Sequence, residues 1–362
     1  MASIVVSGDT SGAITISAPA TAGTNTLSLP ANTGTAILDY STPAYRNRII
    51  NGAMVIDQRN AGASVSATSG GQYFVDRWYA GISAASKFTA QQSSTAPAGF
   101  TKSLLITSSS AWTVGATDYA TLNQIIEGFN TADFGWGASG AATVTLSFWV
   151  RSSLTGTFGG LVSNATNSAG PTRMYPFTYT ISSANTFEYK TITIAGDTTG
   201  TWGNSNAGGI TIQFSLAAGS SVVATAGSWT GAATYQGATG QTNLLATNNA
   251  TWQVTGVQLE KGSTATSFDY RPYGTELMLC QRYYEFGGYY AQAANSPGGV
   301  VGSCVGYRAT KRATPTVSGT ATAGTGTTFN GFAIDYLQQV SIYAAPNGNG
   351  QIYGSWISSA EL

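Results

Sequence analysis

The feature that most constrains this chain is strict period-two alternation. The run Val144-Thr145-Leu146-Ser147-Phe148-Trp149-Val150 alternates apolar with small polar residues, as do Tyr189-Lys190-Thr191-Ile192-Thr193-Ile194 and Ile210-Thr211-Ile212-Gln213-Phe214-Ser215-Leu216. On a pleated strand such a pattern puts one set of side chains in a core and the other toward solvent. Ala13 to Ser17 and Trp252 to Glu260 read the same way. Gly196-Asp197-Thr198-Thr199-Gly200 and Gly203-Asn204-Ser205-Asn206 supply turns between such runs. Many short strands with frequent turns predict an all-β chain built as a sandwich or a jelly roll.

Charge narrows the function. Charged residues are 8% of the 362 positions, 15 basic against 15 acidic, and there is no histidine. Phosphate neutralisation needs clustered Lys and Arg, so nucleic-acid binding is not expected. Without histidine, Ser-His-Asp and Cys-His catalysis and His metal sites are all excluded. No apolar run approaches the length of a membrane helix, and the first residues have no secretory pattern. At 42% hydrophobic and 11% aromatic residues the chain can still bury a large core. Cys280 and Cys304 make no disulfide framework.

Three zones follow. Residues 1–45 hold two short alternating runs and almost no charge, too few large apolar groups for a core of their own. They read as either a flexible arm or an extended segment that pairs with a neighbour, and the alternation of Ile14, Ile16, Leu27 and Leu29, the candidate contacting residues, favours the second. Residues 46–270 form the jelly-roll body. Residues 271–362 begin with a short helix, for which Thr275 is the expected N-cap and Glu276 a favourable first-turn acid. Leu277, Cys280 and Tyr284 then share one face, and a C-terminal β domain follows.

The segments Asn51-Gly52-Ala53-Met54-Val55-Ile56-Asp57-Gln58-Arg59 and Tyr73-Phe74-Val75-Asp76-Arg77-Trp78-Tyr79 resemble a recurrent class of bacteriophage tail-fibre and virion appendage proteins. Leu146 to Arg151, Val254 to Phe268 and Glu276 to Glu285 are similar to the same class, and so are the two ends of the chain. The resemblance implies a virion structural protein, usually homotrimeric, with a middle domain like a carbohydrate-binding module. It implies docking on other virion proteins through residues 1–45 and contact with bacterial surface glycans through the β domains. It transfers no catalytic or ligand residue. A head fibre, collar or decoration protein of purely structural role is the alternative reading, and a polysaccharide depolymerase is a third.

Candidate residues follow from side-chain chemistry. Sugar rings stack on aromatic faces while amides and carboxylates read hydroxyls. Trp112, Trp136, Trp202 and Trp229 lie in Gly/Ser/Thr-rich stretches and are the glycan-contact candidates, whereas Trp149 and Trp252 sit in alternating runs and read as core. Leu277, Cys280 and Tyr284 are the oligomer-interface candidates. A depolymerase needs two carboxylates; Asp118, Glu127, Asp133, Glu188 and Asp197 are present, but none forms a local pair, and no catalytic residue is assigned. Gly135-Trp136-Gly137-Ala138-Ser139-Gly140 matches a dinucleotide fingerprint but precedes a strand instead of a helix, so it reads as a loop. Gly302-Ser303-Cys304-Val305-Gly306 mimics a nucleophile elbow with no base to activate it. Arg46, Arg48, Arg59, Arg77, Asp57 and Asp76 concentrate charge and read as a polar network fixing how the chain enters the jelly roll. Asp57 and Asp76 also offer oxygen ligands for calcium, although no spacing demands a metal and no cofactor is implied.

Overall fold

The alternating runs become strands. A computed structural model of the chain describes residues 3–7, 13–17, 45–165, 172–231, 234–293, 301–323, 327–335, 337–346 and 350–362. They divide into two units at Pro43/Ala44. In the first unit Ser3–Ser7 pairs antiparallel with Ala13–Ser17, with Ile4 opposite Ile16 and Val6 opposite Ile14. Only the backbone of Ile14 and Ile16 is described; Leu27 and Leu29 lie outside the described residues.

The second unit opens with a two-sheet antiparallel sandwich. One sheet runs in the order Thr230–Gly231, Arg173–Ile181, Gly156–Asn164, Gly208–Ala218, Tyr119–Glu127, Trp78–Ile82, Tyr73–Val75. The other runs Glu188–Ile194, Val144–Ser152, Thr251–Lys261, Ser103–Ser108, Phe88–Ser93, Val65–Ser66. The chain crosses repeatedly between the two, so neither sheet forms without the other. Aromatic rings from both inner faces meet between them: Phe148 lies 5.0 Å from Phe214, and Phe214 lies 5.4 Å from Trp252. The indole N–H of Trp252 donates to the Tyr179 hydroxyl at 3.1 Å, which satisfies a polar atom that burial would otherwise leave orphaned. Each fully buried side chain of this kind contributes roughly 1.5–3 kcal/mol.

After the sandwich comes Tyr273–Gln281, the one α-helix among the described residues. It starts three residues before the capping signal suggests. Pro272 occupies the N-cap without a side-chain cap, and its carbonyl accepts from Thr275 and Glu276. Thr275 is therefore inside the first turn. Glu276 turns inward and accepts from Arg271 and from the backbone N–H of Asn51. The helix also ends early, so Tyr284 begins the next strand, Tyr284–Ala293. That strand pairs with Gly350–Ser359, which pairs with Thr316–Ala323; a second three-stranded sheet joins Val301–Gly306, Gln339–Pro346 and Thr327–Asp335. Trp356, Ile352, Ile342 and Val340 are buried together with Tyr289.

The charges of a charge-poor chain gather where the sandwich meets this C-terminal region. Arg77 is 2% exposed and takes a left-handed φ of 71°, a conformation a long side chain adopts only under outside restraint. Its guanidinium pairs with Glu361, donates to the Ile125 carbonyl at 2.5 Å and lies 3.6 Å from the centre of the Tyr283 ring. Arg59 reaches the other Glu361 oxygen at 2.7 Å and covers the Tyr284 ring. Glu127 accepts from Arg282 at 2.6 Å and from the Tyr283 hydroxyl at 2.8 Å. Glu285 and Lys311, both fully buried, pair at 2.7 Å. The polar network expected around Arg59 and Arg77 thus exists, and its counter-charge comes from the far end of the sequence.

Removing one partner of a buried pair leaves an uncompensated charge. Glu361→Gln is therefore expected to lower the unfolding free energy by about 3–5 kcal/mol, read from urea denaturation; an unchanged midpoint would remove Arg77–Glu361 as the clamp. Asp76, 1% exposed, is a second gauge. Burial pushes its carboxyl up to about 6, against hydrogen bonds from Gln58 that work the other way. Because the folded value lies above the unfolded one, the group adds stability below the unfolded value and loses it as pH rises through about 6. A pH series of denaturation midpoints should show this component between pH 4 and 7 in the native chain and lose it in Asp76→Asn.

Candidate functional site

The outer face of the seven-stranded sheet carries the polar half of the alternation. Strand register places Leu161, Gln213, Asn123 and Tyr79 in one row across four strands. The next row toward the C-terminal region holds Ser163, Thr211 and Ile125. Over these rows lies a groove of about 420 Å³, to whose wall Tyr235, Gln236, Arg312 and Leu362 also contribute. That volume lies within the roughly 300–1,000 Å³ range of small-molecule sites.

The groove is apolar at its floor and amide-rich at its walls. Ile125 and Leu161 give the apolar surface; Gln213 donates through Nε2 to the Gln236 carbonyl at 2.9 Å, which holds the two glutamines side by side. Gln213 Oε1 and Gln236 Nε2, an acceptor and a donor, have no partner among the described residues. Asn123 donates to Thr121 at 3.0 Å, while its own Oδ1 is buried and unpaired among the described residues. Burial first, and the nearby Glu361 carboxylate after the opposing Arg77 charge, push the Tyr79 phenol up to about 12. Its hydroxyl stays neutral, able to donate and accept. Arg312 brings one cation to the wall, its three guanidinium nitrogens held by the carbonyls of Ala360, Asn206 and Glu361 and not by a carboxylate side chain. None of the lining residues is Asp or Glu.

The next row, Gly159, Ser215, Thr121 and Gly81, is small so that Gln241 can lie against it. Gln241 donates to Ser215 at 2.7 Å, and a Cβ at position 159 would sit 2.3 Å from its Oε1. An aromatic-and-amide groove of this build suits a ligand with many hydroxyls and some apolar C–H surface.

The tryptophans fall differently from the sequence expectation. Trp112 and Trp136 are each 8% exposed and belong to the core. Trp136, Trp202 and Trp229 form an edge-to-face triangle with centroids 4.6 to 5.4 Å apart. Each donates its indole N–H to a nearby carbonyl, of Ala142, Thr199 and Ala195 respectively. Trp202 and Trp229 are half-buried against the core. Gly-rich surroundings marked the backbone turns here, and rings packing on one another closed the surface above them. Trp149, read as core, is half-exposed on the outer face of the six-stranded sheet. Parity carries the signal: Val144, Leu146, Phe148 and Val150 are buried, and Trp149 is out of phase with them.

The oligomer-interface candidates are likewise taken up inside the chain. Cys280 is buried with Ile50, Ile56 and Tyr283, Leu277 packs against that cluster, and Tyr284 lies under Arg59. The depolymerase candidates do not converge. Asp133 pairs with Arg48, Glu127 with Arg282, Glu188 with Lys190 and Asp197 with Arg173, while Asp118 accepts from Gly115 and Ser83. Despite partial burial, the Arg173 guanidinium and Thr199 hold the Asp197 carboxyl below its usual range. Asp57 accepts from the backbone N–H groups of Asn60 and Gly62, and Asp76 from Gln58. Among the described residues no group of three or more acidic or sulfur ligands is placed to hold a metal ion.

No family model and no curated protein matches the chain. Solved structures overlap it loosely. A putative sugar-binding protein from Bacteroides thetaiotaomicron aligns at a TM-score of 0.34 with 12% identity over 60% of this chain and 100% of its own. A family 11 carbohydrate-binding module from Clostridium thermocellum, solved with a mixed-linked tetrasaccharide, aligns at 0.31 with 9% identity over 57% of this chain and 100% of its own. The enzymatically active domain of bacteriophage CBA120 tailspike protein 4 aligns at 0.32 with 12% identity over 61% of this chain, which spans 22% of that one. At such TM-scores the functional reading rests on the residues of this chain.

Proposed function

We propose that this chain is a phage virion fibre subunit whose sandwich binds surface glycans without acting on them. The observation that carries the binding half is the amide- and tyrosine-lined groove over the seven-stranded sheet, which holds no Asp or Glu. Tyr79 and Tyr235 offer ring faces, and Gln213 and Gln236 offer an unpaired acceptor and donor beside them. The pairing of the depolymerase candidates with Arg, Lys or backbone groups favours recognition over hydrolysis. The virion half rests on the sequence resemblance. Residues 1–45, of which Met1–Pro43 form a unit of their own, are the docking segment in this proposal.

Weak sites repeated on an oligomer and around a particle gain avidity by raised effective concentration. For the homotrimer that the resemblance implies, Cys280 and Tyr284 are already buried within the chain, and Leu277 is half-buried. Phe286, Tyr290 and Tyr353 are exposed on one sheet of the C-terminal region and are the residues available for it.

Titration of the purified chain with oligosaccharides cut from bacterial lipopolysaccharide and capsule tests the groove. Gln213→Ala and Tyr235→Ala are expected to weaken binding by about tenfold each, for a lost hydrogen bond or ring contact, with melting unchanged and no new reducing ends formed. Equal binding by both variants, or turnover of the oligosaccharide, defeats the reading. Light scattering should give three times the 37.2 kDa chain mass; a stable monomer removes the trimer.

A further inference from the structure

The opposite sheet carries a second groove that the reading above does not use. Its volume is about 410 Å³, and it lies around Gly256. Strand register between Thr251–Lys261 and Val144–Ser152 slips between Thr255 and Gln258, and Gly256 within that slip has φ of 61°. A Cβ at position 256 would stand 2.6 Å from the Phe100 ring and 3.1 Å from Trp149. Glycine is thus required twice over, by conformation and by space. The result is two aromatic walls that meet over bare backbone. Trp149 stands 5.4 Å from Tyr189 on one side. On the other, Phe100, Phe268 and Tyr270 pack at 4.8 to 5.4 Å, with the Tyr270 hydroxyl bonded to the Gly99 carbonyl at 2.6 Å.

Burial does not explain this arrangement. Tyr189 is 41% and Tyr270 57% exposed. Trp78, Trp136, Trp202, Trp229 and Trp252 all donate their indole N–H within the chain. Trp149, Trp112 and Trp356 have no such partner among the described residues, and of these three Trp149 alone is half-exposed, where a ligand could reach it. Ser147, Thr266 and Ser267 add hydroxyls to the lining, and no Asp, Glu, Lys or Arg belongs to it.

We propose that this aromatic groove is a second glycan site, in which a pyranose ring lies against Trp149 and Tyr189 and its hydroxyls meet the indole N–H. The ligand class rests on the glycan reading above, while the site is separate from it. An apolar protein side chain would leave the Trp149 N–H unpaired, which a sugar hydroxyl does not. The rings are held before any ligand arrives, so little conformational freedom is lost on binding. The first groove reads hydroxyls through amides; this one grips by stacking and tolerates different sugars. One subunit then touches glycan on both faces of its sandwich.

The test is calorimetric titration of the full chain with three probes, chitohexaose, cellohexaose and oligosaccharides cut from bacterial lipopolysaccharide. Two sites per chain are expected. Trp149→Ala and Tyr189→Ala should each weaken one of them by about tenfold or more and leave the other. Trp149→Phe, which keeps a ring, should restore part of the loss. Gln213→Ala should do the reverse, and melting curves confirm that each variant is folded. If Trp149 and Tyr189 variants bind as the native chain does while Gln213→Ala binds less, the second site is refuted and the first stands. If Gln213→Ala has no effect but Trp149→Ala abolishes binding, the first groove is refuted and the aromatic one stands. Binding of none of the probes refutes both. A change of oligomer mass in Trp149→Ala assigns the groove to self-association and overturns the proposal.

Discussion

The pairing of Arg77 with Glu361 is the constraint on which the rest of the second unit depends. A guanidinium 2% exposed, in a left-handed backbone conformation, has no favourable state without a counter-charge. By holding it, Glu361 fixes where the last strand ends, and with it the Gly350–Ser359 strand that both other strands of its sheet pair with. The Tyr283 and Tyr284 rings that cover Arg77 and Arg59 are drawn to the same place. Leu362 and Arg312 line the wall of the first groove because Glu361 and its neighbours are anchored there. Buried ion pairs of this kind add little net stability compared with apolar packing. Their effect here is to define one arrangement of sandwich and C-terminal sheets among several that hydrophobic contact alone would permit.

Much of the fold was legible as parity. Each alternating run read from the sequence forms a strand, and in the sandwich the apolar set that keeps phase faces the core, as Ile210, Ile212, Phe214 and Leu216 do. The same parity, pursued further, places Gln213 and Trp149 on outer faces. Membership of an alternating run does not by itself give a side, as Trp149 shows, and flanking glycines do not expose Trp136. Indole rings that shield one another, as Trp136, Trp202 and Trp229 do, leave no trace in a local pattern.

The grooves were less legible for a related reason. Each is assembled from residues distant in sequence, Tyr79 with Gln213 and Gln236, or Phe100 with Trp149 and Phe268. Strand order decides which of them meet, and alternation says nothing about strand order. The helix shows the same limit. Its N-terminus was sought at Thr275, a good capping residue, yet Pro272 opens it, because Glu276 is needed inward to hold Arg271 and Asn51. Tertiary demand on one carboxylate outweighed a local hydrogen bond of about 1 kcal/mol.

Arg77 and Glu361 are 284 positions apart. On a ribosome, the arginine emerges long before the acid that neutralises it. Both sheets of the sandwich, from Val65 to Lys261, are complete before that acid is made, so its core can collapse first, around a site still open to water. Closure of that site is then the late event of biogenesis, and a nascent chain stalled in the meantime would present Tyr73 and Arg59 to chaperones without their final cover.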